Sequence, residues 1–320
     1  MKSSGLVSVV IPTKNRKIRL FKTLSTILNQ TYQDIEVVIS DDGSTDGTED
    51  AILELGDDRI RVVRSEVSQG VSLARNSGIE ASKGHWVAVC DDDDFWVSTK
   101  LEYQVNAMQK NSSRWSFAPT LRITDDLKVL FVNNGPKKPI ANEILAGNLI
   151  PGGCSSVVVQ KDLLVKSGMF DEQFSMFADW DLWSRLSQIE EPVSSESFGT
   201  LYVIHEGQMI TDQSKSMDEL DKYRIKFHDE ISHNLEMFEE MGVAPVDRFI
   251  ATQLFKSGGL RGFGKCVSHL FSSGSAFKPS AKFVIGMAAP EWIRKRRFKL
   301  QNKKTPEVLS AVEDVRKVIG

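Results

Sequence analysis

Three short runs, LVSVVI (6–11), IEVVIS (35–40) and HWVAVC (85–90), constrain the fold of this chain more than any other feature. Each is of strand length and nearly continuous in apolar residues, so neither of its faces suits water. Strands of that kind belong to a sheet covered by helices on both sides. The intervening segments agree. KIRLFKTLSTILNQ (17–30) places Leu20, Leu24, Ile27 and Leu28 on one helical face, and GVSLARNSGIEAS (70–82) reads as another helix. RIRVV (59–63) is expected as a further strand, after a short helix ending near Leu55. Thr99 and Glu102 have capping-box spacing and predict a helix through about Lys110. This βαβ order predicts an open α/β sheet, whose ligands bind in the crevice beyond the carboxyl ends of the strands.

Polar clusters sit at those ends: PTKNR after the first strand, DDGSTDGT after the second and DDDD, Asp91 to Asp94, after the fourth. Four adjacent carboxylates repel one another unless something positive sits among them. A hard divalent cation with oxygen ligands, sharing its shell with waters and substrate phosphates, would supply that charge. The plainer reading is a solvated acidic loop, which suits poorly a run that abuts WVAVC and precedes Trp96. DDGSTDGT is either a simple turn or a place where Asp41 and Asp42 accept hydrogen bonds from a base or sugar, with Asp46 or Thr48 capping the next helix. Neither G-x-G-x-x-G nor G-x-x-x-x-G-K-[ST] is present, which argues against an NAD enzyme or an ATPase of the usual kind.

From about 112 to 210 the rhythm becomes mixed, with strands expected near 115–119, 128–132, 155–159 and 200–204. Beyond about 214 the apolar spacing is helical. A formal charge of −3 over 320 residues gives no electrostatic reason to expect nucleic acid as a partner. Cys90, Cys154 and Cys266 are odd in number and widely spaced, which fits neither a disulfide framework nor a zinc site and points to a reducing cytoplasm. MKSSGLVSVVIP lacks the longer apolar region of a signal peptide, and no window reaches the roughly 18 apolar residues of a membrane span.

Taken together, VSVVIPTKNR, NQTYQDIEVVISDDGSTDGT, GVSLARNSGIEASKGHWVAVCDDDDFW and GMFDEQFSMFADWDLWSRL resemble the inverting glycosyltransferases of family 2, from about residue 6 to 210 and in order. The resemblance implies a GT-A fold, an open mixed Rossmann-like sheet flanked by helices, and a nucleoside-diphosphate sugar as donor. Residues 1–213 would form the catalytic domain, with a nucleotide-sugar half (1–110) and an acceptor half (111–213). Residues 214–320 would form a helical C-terminal extension. It also implies that Pro12, Asn15, Arg16 and Asp42 contact base and ribose, with Asp42 reading the base. Arg75 falls near the donor pyrophosphate or base edge, where a forked cation suits phosphate; the plainer reading is a salt bridge on a helix surface.

The family's D-x-D signature falls on Asp91 and Asp93, with Asp92 near the ribose and Trp96 as packing. Asp93 is the expected direct ligand of Mg or Mn. Such a metal bridges the donor phosphates and offsets the charge of the leaving diphosphate. Asp179 is the implied base that takes the acceptor proton. The family usually has Glu-Asp there, whereas this chain has Ala178-Asp179. Asp181 is the fallback, and a helix cap is the plainer role for Asp179. His205 is expected at the donor phosphates or the metal. Gly152, Gly153 and Ser155 are expected on the acceptor side.

The implied acceptor is a glycan or lipid-linked glycan in cell-surface polysaccharide synthesis. EWIRKRRFKLQNKK (291–304) carries seven basic residues against one acid, interleaved with apolar ones, and fits either an anionic membrane surface at the inner face or an ordinary solvated helix. Two rivals stand beside this reading. A sugar-phosphate nucleotidyltransferase should carry a glycine-rich turn after strand one, and PTKNRK has none. A non-catalytic binder of nucleotide sugar or glycan is favoured only by Ala178.

Overall fold

The computed structural model describes residues 5–137, 139–205, 213–234 and 305–320. The first half follows the expected rhythm: β1 (Val7–Thr13), α1 (Lys17–Leu28), β2 (Ile35–Asp41), α2 (Thr48–Leu53), β3 (Ile60–Arg64), α3 (Val71–Ala81), β4 (Trp86–Val89), β5 (Phe95–Trp96) and α4 (Lys100–Asn111). Then come β6 (Trp115–Phe117), β7 (Thr120–Ile123), β8 (Val129–Asn133), β9 (Val157–Gln160), α5 (Lys161–Lys166), α6 (Ala178–Ile189), β10 (Val193–Ser194) and β11 (Thr200–Val203). Three further helices are described, α7 (Gln213–Lys226), α8 (His228–His233) and α9 (Pro306–Ile319).

The main sheet has the order β10-β6-β9-β4-β1-β2-β3. It is parallel except for β9, which runs antiparallel to both β4 and β6. Val7, Val9, Val10, Ile11, Val37, Val38 and Ile39 are all fully buried, as strands covered on both faces require. The chain steps from β1 to β2 and β3 on one side and then to β4 on the other. The crevice between the carboxyl ends of β1 and β4 is therefore a topological switch point.

β1 runs two residues further than its apolar run. Pro12 pairs with Ser40 of β2, while the pairing of β1 with β4 stops at Val10 and Val89. Pro12 thus lies where its missing N–H leaves no β4 partner unsatisfied. The capping box at Thr99 does not form: Thr99 has φ −93° and ψ 2° and makes no side-chain cap. Glu102 instead accepts from the Thr31 hydroxyl at 2.6 Å. Three strands escaped the sequence reading. β5 and β10 are two residues long, and Pro119 separates β7 from β6 within what reads as one apolar run.

β5 belongs to a second sheet, β5-β11-β7-β8, that closes one flank of the crevice. Its outer face is covered by α9, whose Val308, Ala311, Val312 and Val315 pack with Phe95, Leu121, Ile123, Leu201 and Val203. α7 likewise inserts Leu220 and Tyr223 into the core around α6. Described helices beyond 213 share the cores of the preceding residues. The basic stretch 291–304 lies outside the described residues.

Candidate functional site

Three turns and the start of α6 enclose a crevice of about 460 Å³, walled by Pro12, Thr13, Arg16, Asp42, Arg75, Asp91, Asp92, Asp93, Gly153, Cys154, Ser175, Met176, Asp179 and Tyr202, among others. Its volume lies within the roughly 300–1,000 Å³ of small-molecule sites. The four aspartates that follow β4 have separate tasks in it.

Asp94 is internal. It is fully buried, accepts from the Ser155 hydroxyl at 2.6 Å and from the Val203 N–H at 3.0 Å, and so ties the acidic turn to β11. Burial, then the charges of Asp93 and Asp91, pushes its carboxyl well above the usual range. The other three are balanced by cations. Arg75 donates to Asp91 at 2.7 Å, and one Arg16 nitrogen reaches Asp92 at 3.0 Å and Asp93 at 2.8 Å. Burial raises the Asp92 carboxyl to about 6, with Arg16 pulling it down and Asp93 adding to the rise. The Thr13 hydroxyl donates to Asp92 at 2.7 Å. The repulsion foreseen in the run is thus offset by two arginines, Arg16 at the N-cap of α1 and Arg75 within α3.

His205, just past β11, brings Nε2 to 2.8 Å from Oδ2 of Asp93. Asp93 supplies the carboxylate oxygen that Mn and Mg take, whereas an imidazole more often serves transition metals than Mg. Among the described residues no group of three or more His, Cys, Asp or Glu gathers as a cation cage. The residues present fit a metal that draws part of its shell from a bound diphosphate.

The nucleoside side holds corrections. Asn15 is not part of the crevice wall. It adopts φ 54°, where Asn is tolerated, donates its N–H to Ser44 at 2.9 Å, and accepts from the Thr45 N–H at 2.7 Å. It therefore laces the first turn to the second. Asp41 is fully engaged inside, with Arg64 at 2.6 Å. Asp42 lines the crevice, and its carboxylate already accepts from the Ser68 hydroxyl (2.6 Å) and the N–H groups of Gln69 (2.7 Å) and Gly70 (3.1 Å). It shapes the loop that opens α3. Arg75 is no surface salt bridge: it is 4% exposed, stacks over Phe170, and its Nε has no hydrogen-bond partner among the described residues.

On the opposite wall, Asp179 stands in the first turn of α6. The N-cap is Phe177, which makes no side-chain cap, so Asp179 is not the cap the plainer reading assigned. Its Oδ1 accepts the Trp180 N–H at 2.7 Å and its Oδ2 the Asn148 side chain at 2.9 Å. Burial holds its carboxyl above the usual range; Trp180, Arg75 and Asn148 oppose that rise, and Asp91 adds to it. Such a carboxylate is a better proton acceptor than an exposed one. Asp181 cannot stand in for it. Asp181 is fully buried and paired with Arg185 and Lys226, each at 2.6 Å.

Gly153 lies beside Asp179, and a Cβ built there would sit 3.5 Å from Oδ2. Gly152 cannot carry a side chain, because its Cβ would meet Thr120 at 2.6 Å and its φ is +70°. Ser155 is buried and does not face an acceptor; its hydroxyl accepts from the Asp91 N–H and donates to Asp94. Trp96 is 1% exposed and packs as expected. Thr13, Asn148, Tyr202 and the crevice-lining Cys154 were missed. Nothing in local sequence marks Asn148 or Tyr202, which reach the site through tertiary folding alone.

Residues 8–150 match the family model described as glycosyl transferase family 2. A UDP-Glc:alpha-D-GlcNAc-diphosphoundecaprenol beta-1,3-glucosyltransferase of Escherichia coli, WfgD, is 32% identical over 178 residues, 56% of this chain and 68% of that protein. A second Escherichia coli enzyme of the same described activity, WfaP, is 29% identical over 66% of this chain and 82% of its own length. Among solved structures, Staphylococcus aureus TarS 1–349 in complex with UDP-GlcNAc superposes with a TM-score of 0.55 at 16% identity, covering 98% of this chain and 90% of that one. At that identity the likeness concerns the fold, which is the expected GT-A architecture.

Proposed function

The chain belongs to glycosyl transferase family 2, and from that premise we propose that it transfers a hexose from a UDP-sugar to a hydroxyl of a lipid-diphosphate-linked glycan, inverting the anomeric carbon. The donor and acceptor classes follow the activity described for the two Escherichia coli relatives. One observation carries the mechanistic reading: Asp179, a carboxylate of raised proton affinity, shares one crevice with the charge-balanced trio Asp91, Asp92 and Asp93. An inverting transfer needs this pairing, a base on the acceptor side and charge compensation on the leaving-group side.

Asp179 takes the proton from the attacking hydroxyl, with Asn148 and the Trp180 N–H holding its two oxygens in place. Arg75 and Arg16 stand where negative charge gathers as UDP departs. Pro12 and Asp42 border the nucleoside end of the crevice. Asp93 and His205, with Asp91 beside them, would hold Mg or Mn, which supplies Lewis-acid stabilisation of the diphosphate when bound. The retained Asp179 weighs against a purely binding role despite Ala178.

No described helix is long and apolar enough to cross a membrane. We read the lipid-linked acceptor as met at the cytoplasmic face by peripheral contact, for which the basic stretch 291–304, outside the described residues, is the candidate.

The test is incubation of the purified chain with UDP-glucose or UDP-GlcNAc, Mn and a GlcNAc-diphospholipid. UDP release with a β-linked disaccharide lipid, absent in Asp179→Asn, is the expected result. Pyrophosphate formation, donor binding without turnover, or an α-linked product would overturn the reading.

A further inference from the structure

The turn that delivers Asp179 is held from a helix more than thirty residues further along the chain. Glu219 lies on α7, is 3% exposed, and directs its carboxylate at residues 175–177. Oε1 accepts from the Ser175 N–H at 3.1 Å and its hydroxyl at 2.7 Å. Oε2 accepts from the N–H groups of Met176 at 2.9 Å and Phe177 at 3.1 Å. Four donors converge on one anion, and hydrogen bonds to an ionised acceptor are roughly twice as strong as neutral ones.

These three residues lead directly into the site. Ser175 and Met176 line the crevice, Phe177 is the N-cap of α6, and Asp179 follows within the first helical turn. Ala178 leaves no carboxylate of its own in this turn; its methyl group is fully buried in the core. α7 is itself fixed against α6. Tyr223 stacks on Trp180 with centroids 4.1 Å apart and shares a 2.6 Å hydrogen bond with Ser184, while Lys226 pairs with Asp171 and Asp181.

We propose that Glu219 is a positioning residue for the base: its carboxylate sets the 175–177 turn, and through it the aim of Asp179 and the adjoining crevice wall. The inference rests on Asp179 being the base. A displacement of about 1 Å at a reacting group can lower the rate about 100-fold, so a turn fixed by four hydrogen bonds has a catalytic consequence. The crevice wall that Arg16, Asp42 and Asp91 to Asp93 provide for the donor comes from other turns of the chain.

Glu219→Gln turns one acceptor oxygen into an NH₂ facing N–H donors. The expected result is a kcat reduced about 10- to 100-fold per folded molecule, a donor KM within about twofold of wild type, and an acid limb of kcat displaced from its wild-type position. A merely structural role would lower the melting temperature and leave kcat per folded molecule and the pH profile unchanged, and that result overturns the proposal. Should Glu219→Gln not fold, Glu219→Asp replaces it: one methylene shorter, it cannot reach all four donors, and a wild-type kcat in it also overturns the proposal. Asp179→Asn is measured alongside. Full activity there refutes the assignment of the base, whereas wild-type kcat in the Glu219 variants with an inactive Asp179→Asn refutes Glu219 alone.

Discussion

Nε2 of His205 lies 2.8 Å from Oδ2 of Asp93, although the two residues are 112 positions apart in the chain. The same Asp93 oxygen accepts from Arg16 at 2.8 Å, so the ends of strands from both sheets and the N-cap of α1 meet at one carboxylate. β11 makes the contact possible: pairing antiparallel with β5, it returns the chain to the acidic turn. If this pair takes part of a metal shell, His205→Ala should raise the Mn concentration needed for half-maximal UDP binding by at least the about 10- to 100-fold that loss of an outer-shell partner costs. Calorimetric titration of UDP at graded Mn checks this, and an unchanged Mn dependence removes His205 from the shell.

Asp179→Asn should lower kcat by about 10²- to 10⁴-fold, the contribution typical of a positioned base. UDP affinity should stay the same, since the wall proposed for the donor lies opposite. In the wild type, protonation of Asp179 removes the base, so kcat falls as pH falls through a pKa that burial has raised. The acid limb of the rate profile should therefore lie above the range of an exposed carboxylate.

Asn148→Leu should move that limb further up. Asn148 donates to Oδ2 and stabilises the ionised form; without it the protonated form gains. The variant should lose activity chiefly on the acid side and recover as pH rises. A uniform loss at every pH would instead mean that Asn148 shapes the acceptor site.

Asp181→Asn should separate stability from catalysis in a motif where two acids stand two residues apart. Its partners Arg185 and Lys226 are partly exposed, so the cost should be about 1.5–3 kcal/mol in urea unfolding, the scale of hydrogen bonds to charged groups. Turnover per folded molecule should stay near wild type.

Lys100 lies 1% exposed with its ammonium 3.9 Å from the centroid of Trp96 and no hydrogen-bond partner among the described residues. Burial lowers its pKa from 10.5 to about 7, with Cys90 opposing. Because the unfolded chain holds this proton up to pH 10.5, stability should rise with pH above 7 and be penalised below it. The penalty is on the order of 5 kcal/mol at its fullest, reduced by the cation–π contact with Trp96. Lys100→Met should be more stable than wild type at pH 6 and should lack the rise between pH 7 and 9. Chemical denaturation across that range measures both.

The sequence and the structure agree most closely where periodicity is strong. β1, β2 and β4 are legible because apolar residues run almost continuously, and α1 because Leu20, Leu24 and Ile27 share a face. β5 and β10 offered no period to read, being two residues long. The Thr99 capping box does not form because a tertiary contact claims one of its two members: Glu102 accepts from Thr31.

By itself the sequence determined the βαβ order, the carboxyl-end turns and the residue types that meet there, because these depend on local patterns of burial and turn chemistry. Tertiary structure alone decided how the four aspartates divide their work: Arg16 and Arg75 balance three of them, and Ser155 and Val203 draw the fourth inside. It also decided that Asp181 belongs to an ion pair while Asp179 faces the crevice, and that Glu219 holds the turn before it. These assignments depend on which distant side chain reaches a carboxylate first. Adjacent acids look alike in a string of letters and differ only in the charges and donors that folding brings to each.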